Sequence, residues 1–322
     1  MQSPIFIFSL PRSGSTLMQR VLMSHEDICS VAEPWVLLPQ IYMLKSEGTL
    51  SEYSSRSSHE AISDFIKNLP NGNQDYNSAL RNFILELYTK QCRLNERYFL
   101  DKTPRYYLII DEIVKLFPDA KFIFLFRNPI HVYASMISTW GENRFRKVRS
   151  SQNDIALGTK LLSKAYKKYN DIAISVNYES FVSNFEIELK RITDYLDLEL
   201  SQDVLNNFQK QDTKGSLGDP TGVKEYSNIS KDGIDKWKKV FNSRIRKKFA
   251  LKLLKNINPE DLEVQGYNNG QITKEIKALN SKNPNYAFRD FLDYYFNSLI
   301  IKFNLNLYFN KKFAWVKRKF LS

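Results

Sequence analysis

Cysteine and histidine are both scarce in this chain of 322 residues, and their scarcity removes whole classes of chemistry. Cys29 and Cys92 are the two cysteines. They are too few for a disulfide framework, and their spacing matches no metal-ligand pattern. Three histidines, His25, His59 and His131, leave little material for a zinc site or a histidine-centred triad, so no metal is expected. Uninterrupted apolar length is missing too. No run of about 18 uncharged apolar residues occurs, so no membrane span is expected. The nearest approach, residues 291–309, is broken by Asp293, Lys302 and several asparagines. The first apolar segment is cut by Pro11 and Arg12, far short of a signal-peptide core, so no leader is expected and the cytosol is the expected location. Internal repeats and low-complexity tracts are also absent.

What remains is a composition suited to a buried core, 43% hydrophobic and 14% aromatic, unlike a disordered chain. The net charge of +12 is unevenly placed. Residues 231–255 carry ten Lys or Arg against Asp232 and Asp235, and residues 271–322 carry ten against Glu275, Asp290 and Asp293. Such surpluses favour anionic partners, a nucleotide, an acidic glycan, an anionic lipid surface or nucleic acid, although a solvated lysine-rich face explains them equally well. No motif of nucleic-acid recognition accompanies them, so no specific nucleic acid is expected.

Strand and helix signals alternate along the first two thirds of the chain. Residues 4–9 (P-I-F-I-F-S), 28–31, 97–100 (R-Y-F-L), 121–126 (K-F-I-F-L-F) and 172–178 (I-A-I-S-V-N-Y) read as strands. Helices are expected over 14–24, from about 34, over 61–69, 79–92, 105–117, 128–140, 185–195 and 232–255. Pro129 suits a first helical turn, where its missing N–H costs nothing. Loops are expected at 47–59, at the turn cluster 70–77 and at the Gly/Pro/Ser-rich stretch 212–230. Alternating strands and helices predict an α/β fold, a parallel sheet in a P-loop-like three-layer α/β/α arrangement. A boundary is expected near 266, between a catalytic domain (1–265) and a basic, aromatic-rich, helical extension (266–322). That extension is expected to pack or self-associate, with peripheral membrane contact as the other option.

The sharpest local signal is S-L-P-R-S-G-S-T-L at residues 9–17, between a buried strand and a helix. A strand-to-helix turn aims backbone N–H groups and a helix N-terminus at one spot, which is an anion site. Gly14 permits close approach, Ser13, Ser15 and Thr16 add hydroxyls, and Arg12 adds permanent charge. The spacing is not that of a Walker A loop, which needs a lysine that is missing here. The central strand 121–126 ends in Arg127 rather than a magnesium-binding acid, so ATP hydrolysis is disfavoured.

A second strand-to-helix junction reads R-N-P-I-H-V-Y-A-S-M-I-S at residues 127–138, with Arg127 and Ser135 eight apart. Together with P-R-S-G-S-T, this pair resembles the two nucleotide signatures of sulfotransferases that use 3′-phosphoadenosine 5′-phosphosulfate (PAPS). The resemblance covers residues 4–250, and its Arg12 points to the carbohydrate, tyrosylprotein or bacterial branches. It implies that Pro11, Arg12, Ser13, Gly14, Ser15 and Thr16 hold the 5′-phosphosulfate and that Arg127 and Ser135 hold the 3′-phosphate. It also implies that Lys102, in D-K-T-P, faces the sulfuryl group and that Glu33, in E-P-W, is the catalytic base. Tyr178, in V-N-Y-E-S-F, would lie near the nucleotide. The expectation that follows is that no metal takes part and that the acceptor is a hydroxyl of a carbohydrate, lipid or tyrosine. The segment R-K-G of the small-molecule branch is absent, leaving Lys224 in the 212–230 loop as a substitute charge. Plainer roles stay open: a helix cap for Glu33, a surface ion pair with Asp101 for Lys102, and a core aromatic for Tyr178. His131 reads as a surface or nucleotide-adjacent residue. The rival functions are a P-loop kinase-like enzyme and a non-catalytic nucleotide-binding protein.

Overall fold

Alternate isoleucines and phenylalanines in β1 (Ser3–Ser9) send two kinds of side chain to the two faces of one sheet. The computed structural model describes residues 3–92, 96–148, 151–200, 232–280 and 288–293, with Val204, Phe208 and Gln211. Five strands form the sheet: β1, β2 (Ile28–Ser30), β3 (Tyr98–Asp101), β4 (Lys121–Phe126) and β5 (Ala173–Asn177). Their order is β2-β3-β1-β4-β5, and every pairing is parallel. Each residue of β1 is buried, as the near-continuous apolar run of a strand covered on both faces requires.

On one face Ile5, Ile7, Ile123, Leu125 and Val176 pack with Leu17, Met18 and Val21 of α1 (Ser15–Leu22). Phe181 of α8 (Tyr178–Ser183) and Leu189 and Ile192 of α9 (Phe185–Tyr195) complete that cluster. On the other face the rings of Phe6, Phe8, Phe122 and Phe124 meet one another at centroid separations of 5.2–6.2 Å. Tyr106, Phe117 and Tyr166 close over them. Helical segments thus cover both faces of a parallel sheet, the α/β arrangement expected.

The remaining helices show where local chemistry outran the simple pattern. α2 runs over Leu37–Tyr42 and begins three residues later than expected, after Trp35 takes a left-handed φ of 55°. α3 (Ser55–Lys67) enters the expected loop at 47–59 because Ser54 caps it, accepting from the Ser57 N–H. α4 (Asn73–Gln91) likewise starts inside the expected turn cluster. The expected helix 105–117 divides into a 3₁₀ turn (Tyr106–Leu108) and α5 (Ile110–Leu116). α6 (Pro129–Thr139) has its proline in the first turn, and α7 (Ser151–Tyr169) had no counterpart in the pattern. The expected 232–255 helix is two, α10 (Asp232–Val240) and α11 (Arg244–Lys255), because the Ser243 side chain caps the second. α12 (Pro259–Val264) and α13 (Asn269–Ala278) follow.

The chain divides into two compact units, each discontinuous in sequence. The first comprises residues 1–128, 157–234 and 257–268 and holds the sheet; the second comprises 129–156, 235–256 and 269–322. In the second unit, Arg246 is buried and pairs with Asp290 through Nε and Nη2, at 2.7 and 3.1 Å, while also donating to the carbonyls of Val240 and Asn143. Phe145 stacks on Phe249 at 4.7 Å. Residues 281–287 and 294–322 of the expected extension and the whole of the 212–230 loop, Lys224 included, lie outside the described residues. Cys29 and Cys92 are joined as a disulfide that ties β2 to the end of α4. No helix among the described residues is long and apolar enough to cross a membrane.

Candidate active site

The turn between β1 and α1 is shaped by two left-handed residues, Arg12 at φ 69° and Gly14 at φ 91°. Gly14 is the residue preceding α1, and no side chain caps the helix there, so its first-turn N–H groups are left for an anion. Glycine is required for a second reason. A Cβ at Gly14 would lie 2.3 Å from the ring of Tyr178, which packs directly on the turn. Ser13 is almost fully buried, and its Oγ has no hydrogen-bond partner among the described residues. An unsatisfied buried hydroxyl costs free energy unless a ligand oxygen meets it. Pro11, Ser15 and Thr16 are buried in the same turn, and Arg12 is half-buried.

Lys102 follows β3 immediately and is 1% exposed. Its Nζ lies 3.0 Å from Glu33 Oε1 and 3.4 Å from Thr16 Oγ1. The surface ion pair with Asp101 is therefore ruled out for Lys102. Glu33 does not cap α2 either, since the residue preceding that helix is Val36 and no side chain caps it. Instead the indole Nε1 of Trp35 donates to Glu33 Oε2 at 3.2 Å. The carboxylate is thus held from both sides, by an ammonium and by an indole, next to the turn that carries Thr16.

Asp101, beside Lys102 in sequence, is completely buried and faces three hydroxyls. Tyr88 Oη donates to its Oδ2 at 2.5 Å, Tyr106 Oη to the same oxygen at 2.9 Å, and Thr103 Oγ1 to Oδ1 at 2.9 Å. Burial raises its pKa to about 6, against the lowering effect of those hydroxyls and of the Lys102 charge. Burial and the Asp101 charge push the phenols of Tyr88 and Tyr106 well above their usual range.

Arg127 immediately follows β4 and is buried. Its guanidinium lies over the Tyr178 ring, 4.1 Å from the centroid, and donates to the carbonyls of Arg12 at 3.0 Å and Gly233 at 3.1 Å. Its Nε has no hydrogen-bond partner among the described residues. Tyr178 is therefore more than a strand-end core aromatic: one ring joins the Gly14 turn to Arg127. Ser135 lies half-buried on α6, in the second unit, where its carbonyl accepts from Thr139 Oγ1. His131 is not a surface residue; it is buried and stacks with Trp237 at 5.1 Å.

Of the residues singled out from sequence, the first unit brings Thr16, Glu33 and Lys102 into one cluster, and Arg12, Gly14, Arg127 and Tyr178 into another. The sequence offers Asp101 only as a partner for Lys102, and it marks none of Thr103, Tyr88 and Tyr106 as a site residue. The D-K-T-P string did contain two of these four. The tyrosines look like core aromatics in sequence, and only the demand of a buried phenol for a partner would have flagged them.

Residues 4–202 match the model of the Sulfotransferase family. A nodulation protein NoeE of Sinorhizobium fredii is 34% identical over 140 residues, covering 42% of this chain and 31% of the relative. A protein-tyrosine sulfotransferase of Drosophila melanogaster is 29% identical over 214 residues, covering 63% of this chain and 40% of the relative. The chain thus spans well under half the length of these two relatives. A solved sulfotransferase domain from the curacin biosynthetic pathway superposes with a TM-score of 0.49 at 22% identity, over 74% of this chain and 92% of that domain.

Proposed function

This chain belongs to the sulfotransferase family, and on that premise we propose that it transfers the sulfuryl group of PAPS to an acceptor hydroxyl. The observation that carries the reading is the buried cluster in which the Lys102 ammonium bridges Glu33 and the Thr16 hydroxyl at the phosphate turn. A lysine has three N–H donors. Glu33 and Thr16 take two among the described residues, and a sulfuryl oxygen of the donor is the natural partner for the third. The buried Ser13 hydroxyl and the uncapped start of α1 suit the 5′-phosphosulfate. Arg127, stacked on Tyr178, would meet the 3′-phosphate through its remaining donor capacity.

In the reaction, the acceptor oxygen attacks sulfur in line with the bond to the 5′-phosphate oxygen. That S–O bond breaks as the new one forms, the hydroxyl proton passes to Glu33, and the products are a sulfate ester and PAP, the desulfated nucleotide. Lys102, Arg12 and the helix N-terminus would stabilise the sulfuryl oxygens and the departing phosphate, work done by placement and electrostatics and needing no metal. Glu33 is oriented by Trp35 and Lys102, and general-base assistance contributes about 10²–10⁴-fold. The acceptor belongs to the class of hydroxyl-bearing carbohydrates, lipids or tyrosyl peptides, and the basic surplus of the chain favours an anionic one.

The test uses Glu33→Gln. Calorimetric affinity for PAP should stay within a small factor of the wild type, while transfer of label from PAPS to acceptors in a cell extract falls by about 100-fold or more. Undiminished transfer would remove Glu33 from the mechanism. Identifying the labelled product in the wild-type reaction names the acceptor class.

A further inference from the structure

We infer that Asp101 is a positioning residue that sets both Glu33 and Lys102 from one buried carboxylate, through hydroxyl relays that pin the turn at residues 35–37. The inference rests on the sulfuryl-transfer reading for its consequence, but its geometry stands independently.

The relay's direction follows from which atoms can donate. The Leu37 N–H donates to Tyr106 Oη at 3.3 Å, and the Tyr106 hydroxyl donates to Asp101. The Trp35 N–H donates to Thr103 Oγ1 at 3.3 Å, and the Thr103 hydroxyl donates to Asp101. Each hydroxyl accepts from the backbone on one side and has a single proton to give, which goes to the carboxylate on the other. Tyr88, from α4, spends its proton on the same carboxylate. Three converging O–H donors call for an acceptor that donates nothing, and an ionised carboxylate meets that condition.

What the two relays hold is the turn that aims Glu33. Trp35 has φ 55°, a left-handed conformation that a bulky residue adopts only when its surroundings enforce it. Its main-chain N–H is held by Thr103 and its indole holds Glu33 Oε2. The path from Asp101 to the proposed base is thus Thr103, then Trp35, then Glu33. The path to Lys102 is shorter still, because Lys102 is the next residue along the chain. A misplacement of a reacting group by about 1 Å can cost about 100-fold in rate, so loosening this turn should appear in turnover before it appears in nucleotide affinity.

Protonation gives a second handle. The groups facing Asp101 are Tyr88 from α4, Tyr106 from the 3₁₀ turn, and Thr103 and Lys102 from the end of β3. A protonated Asp101 would donate in place of accepting, leaving one of its three hydroxyls to turn away. An acid limb near pH 6 in the rate profile would report that change, and removing the Tyr88 hydroxyl, which lowers the Asp101 pKa, should move the limb upward.

The test compares Thr103→Val and Tyr106→Phe, which delete a relay hydroxyl without changing shape, with Thr103→Ser, which keeps it. Backbone hydrogen exchange across residues 33–38 is read alongside steady-state kinetics with PAPS and calorimetry with PAP. The expected result is exchange faster by about 10-fold or more, the signature of a lost hydrogen bond. With it, kcat should fall by about 10–100-fold, PAP affinity should stay within about twofold, and Thr103→Ser should behave as wild type. Unchanged exchange in Thr103→Val and Tyr106→Phe would overturn the relay, and faster exchange with undiminished kcat would overturn the positioning role. A wild-type protein that fails to use PAPS would instead overturn the proposed reaction, while the exchange measurement would still decide the relay.

Discussion

Two of the buried charged side chains in the first unit, Asp101 and Lys102, are neighbours in sequence. Lys102 resolves its burial by pairing with Glu33, and Asp101 resolves its own by collecting three hydroxyls. Burial of charge is costly unless it is met in this way. For Asp101 burial wins, and its pKa stands at about 6 against an ordinary 3.8. The folded state therefore binds a proton more tightly than the unfolded chain between those values. The stability that this group contributes is full below about pH 4 and is lost as pH rises through about 6. Chemical denaturation of wild type and Asp101→Asn across pH 3.5–7 should show it: the wild type should lose stability relative to the variant as pH rises through that window. A difference between the two that stays flat across the window would mean the carboxyl titrates normally. The same carboxylate is then a stability liability at neutral pH, and the relay to Trp35 and Leu37 is a functional reason for its presence.

At the scale of elements, the turn from β1 to α1 does most with least. Gly14 combines a φ of 91° with the Tyr178 ring lying where a Cβ would stand, so Gly14→Ala should both strain the backbone and displace Tyr178 from beneath Arg127. A loss of about 1–3 kcal/mol in chemical denaturation is expected, along with weaker PAP binding; an unaltered protein would mean the ring can move aside freely. This turn was legible in sequence because its signal is local: a buried strand, a glycine and hydroxyls within a few residues. The parallel sheet was legible for a similar reason, since runs such as K-F-I-F-L-F declare a strand buried on both faces. Helix boundaries were less so. Ser54 and Ser243 each start a helix by accepting one backbone N–H, inside segments whose composition reads as loop or as continuous helix. Long-range partners were least legible: nothing in the spacing of Tyr88, Asp101 and Tyr106 states that two phenols converge on one carboxylate, or that Cys92 bonds Cys29. That bond also sits awkwardly with the expected cytosolic location, because disulfides persist mainly in oxidising compartments.

For the molecule as a whole, the net charge of +12 and the anion-ready turn bear on the same question, which ligand the folded protein prefers. A ligand that binds only the folded state raises stability by about 2.7 kcal/mol at a hundred times its Kd. PAP carries a 3′-phosphate that AMP lacks, and a charged hydrogen bond of the kind proposed for Arg127 is worth about 1.5–3 kcal/mol. PAP should therefore bind about 10–100-fold more tightly than AMP and raise the unfolding temperature clearly at concentrations where AMP does little. Arg127→Ala should erase most of that difference, and added salt should shrink it, since the protein's positive field draws in the more highly charged nucleotide. Thermal denaturation with PAP, AMP and magnesium ATP in parallel separates the readings. Equal shifts from PAP and AMP would detach Arg127 from the 3′-phosphate. A shift from magnesium ATP larger than that from PAP would instead favour phosphoryl transfer, which the missing loop lysine and the Arg at the end of β4 argue against.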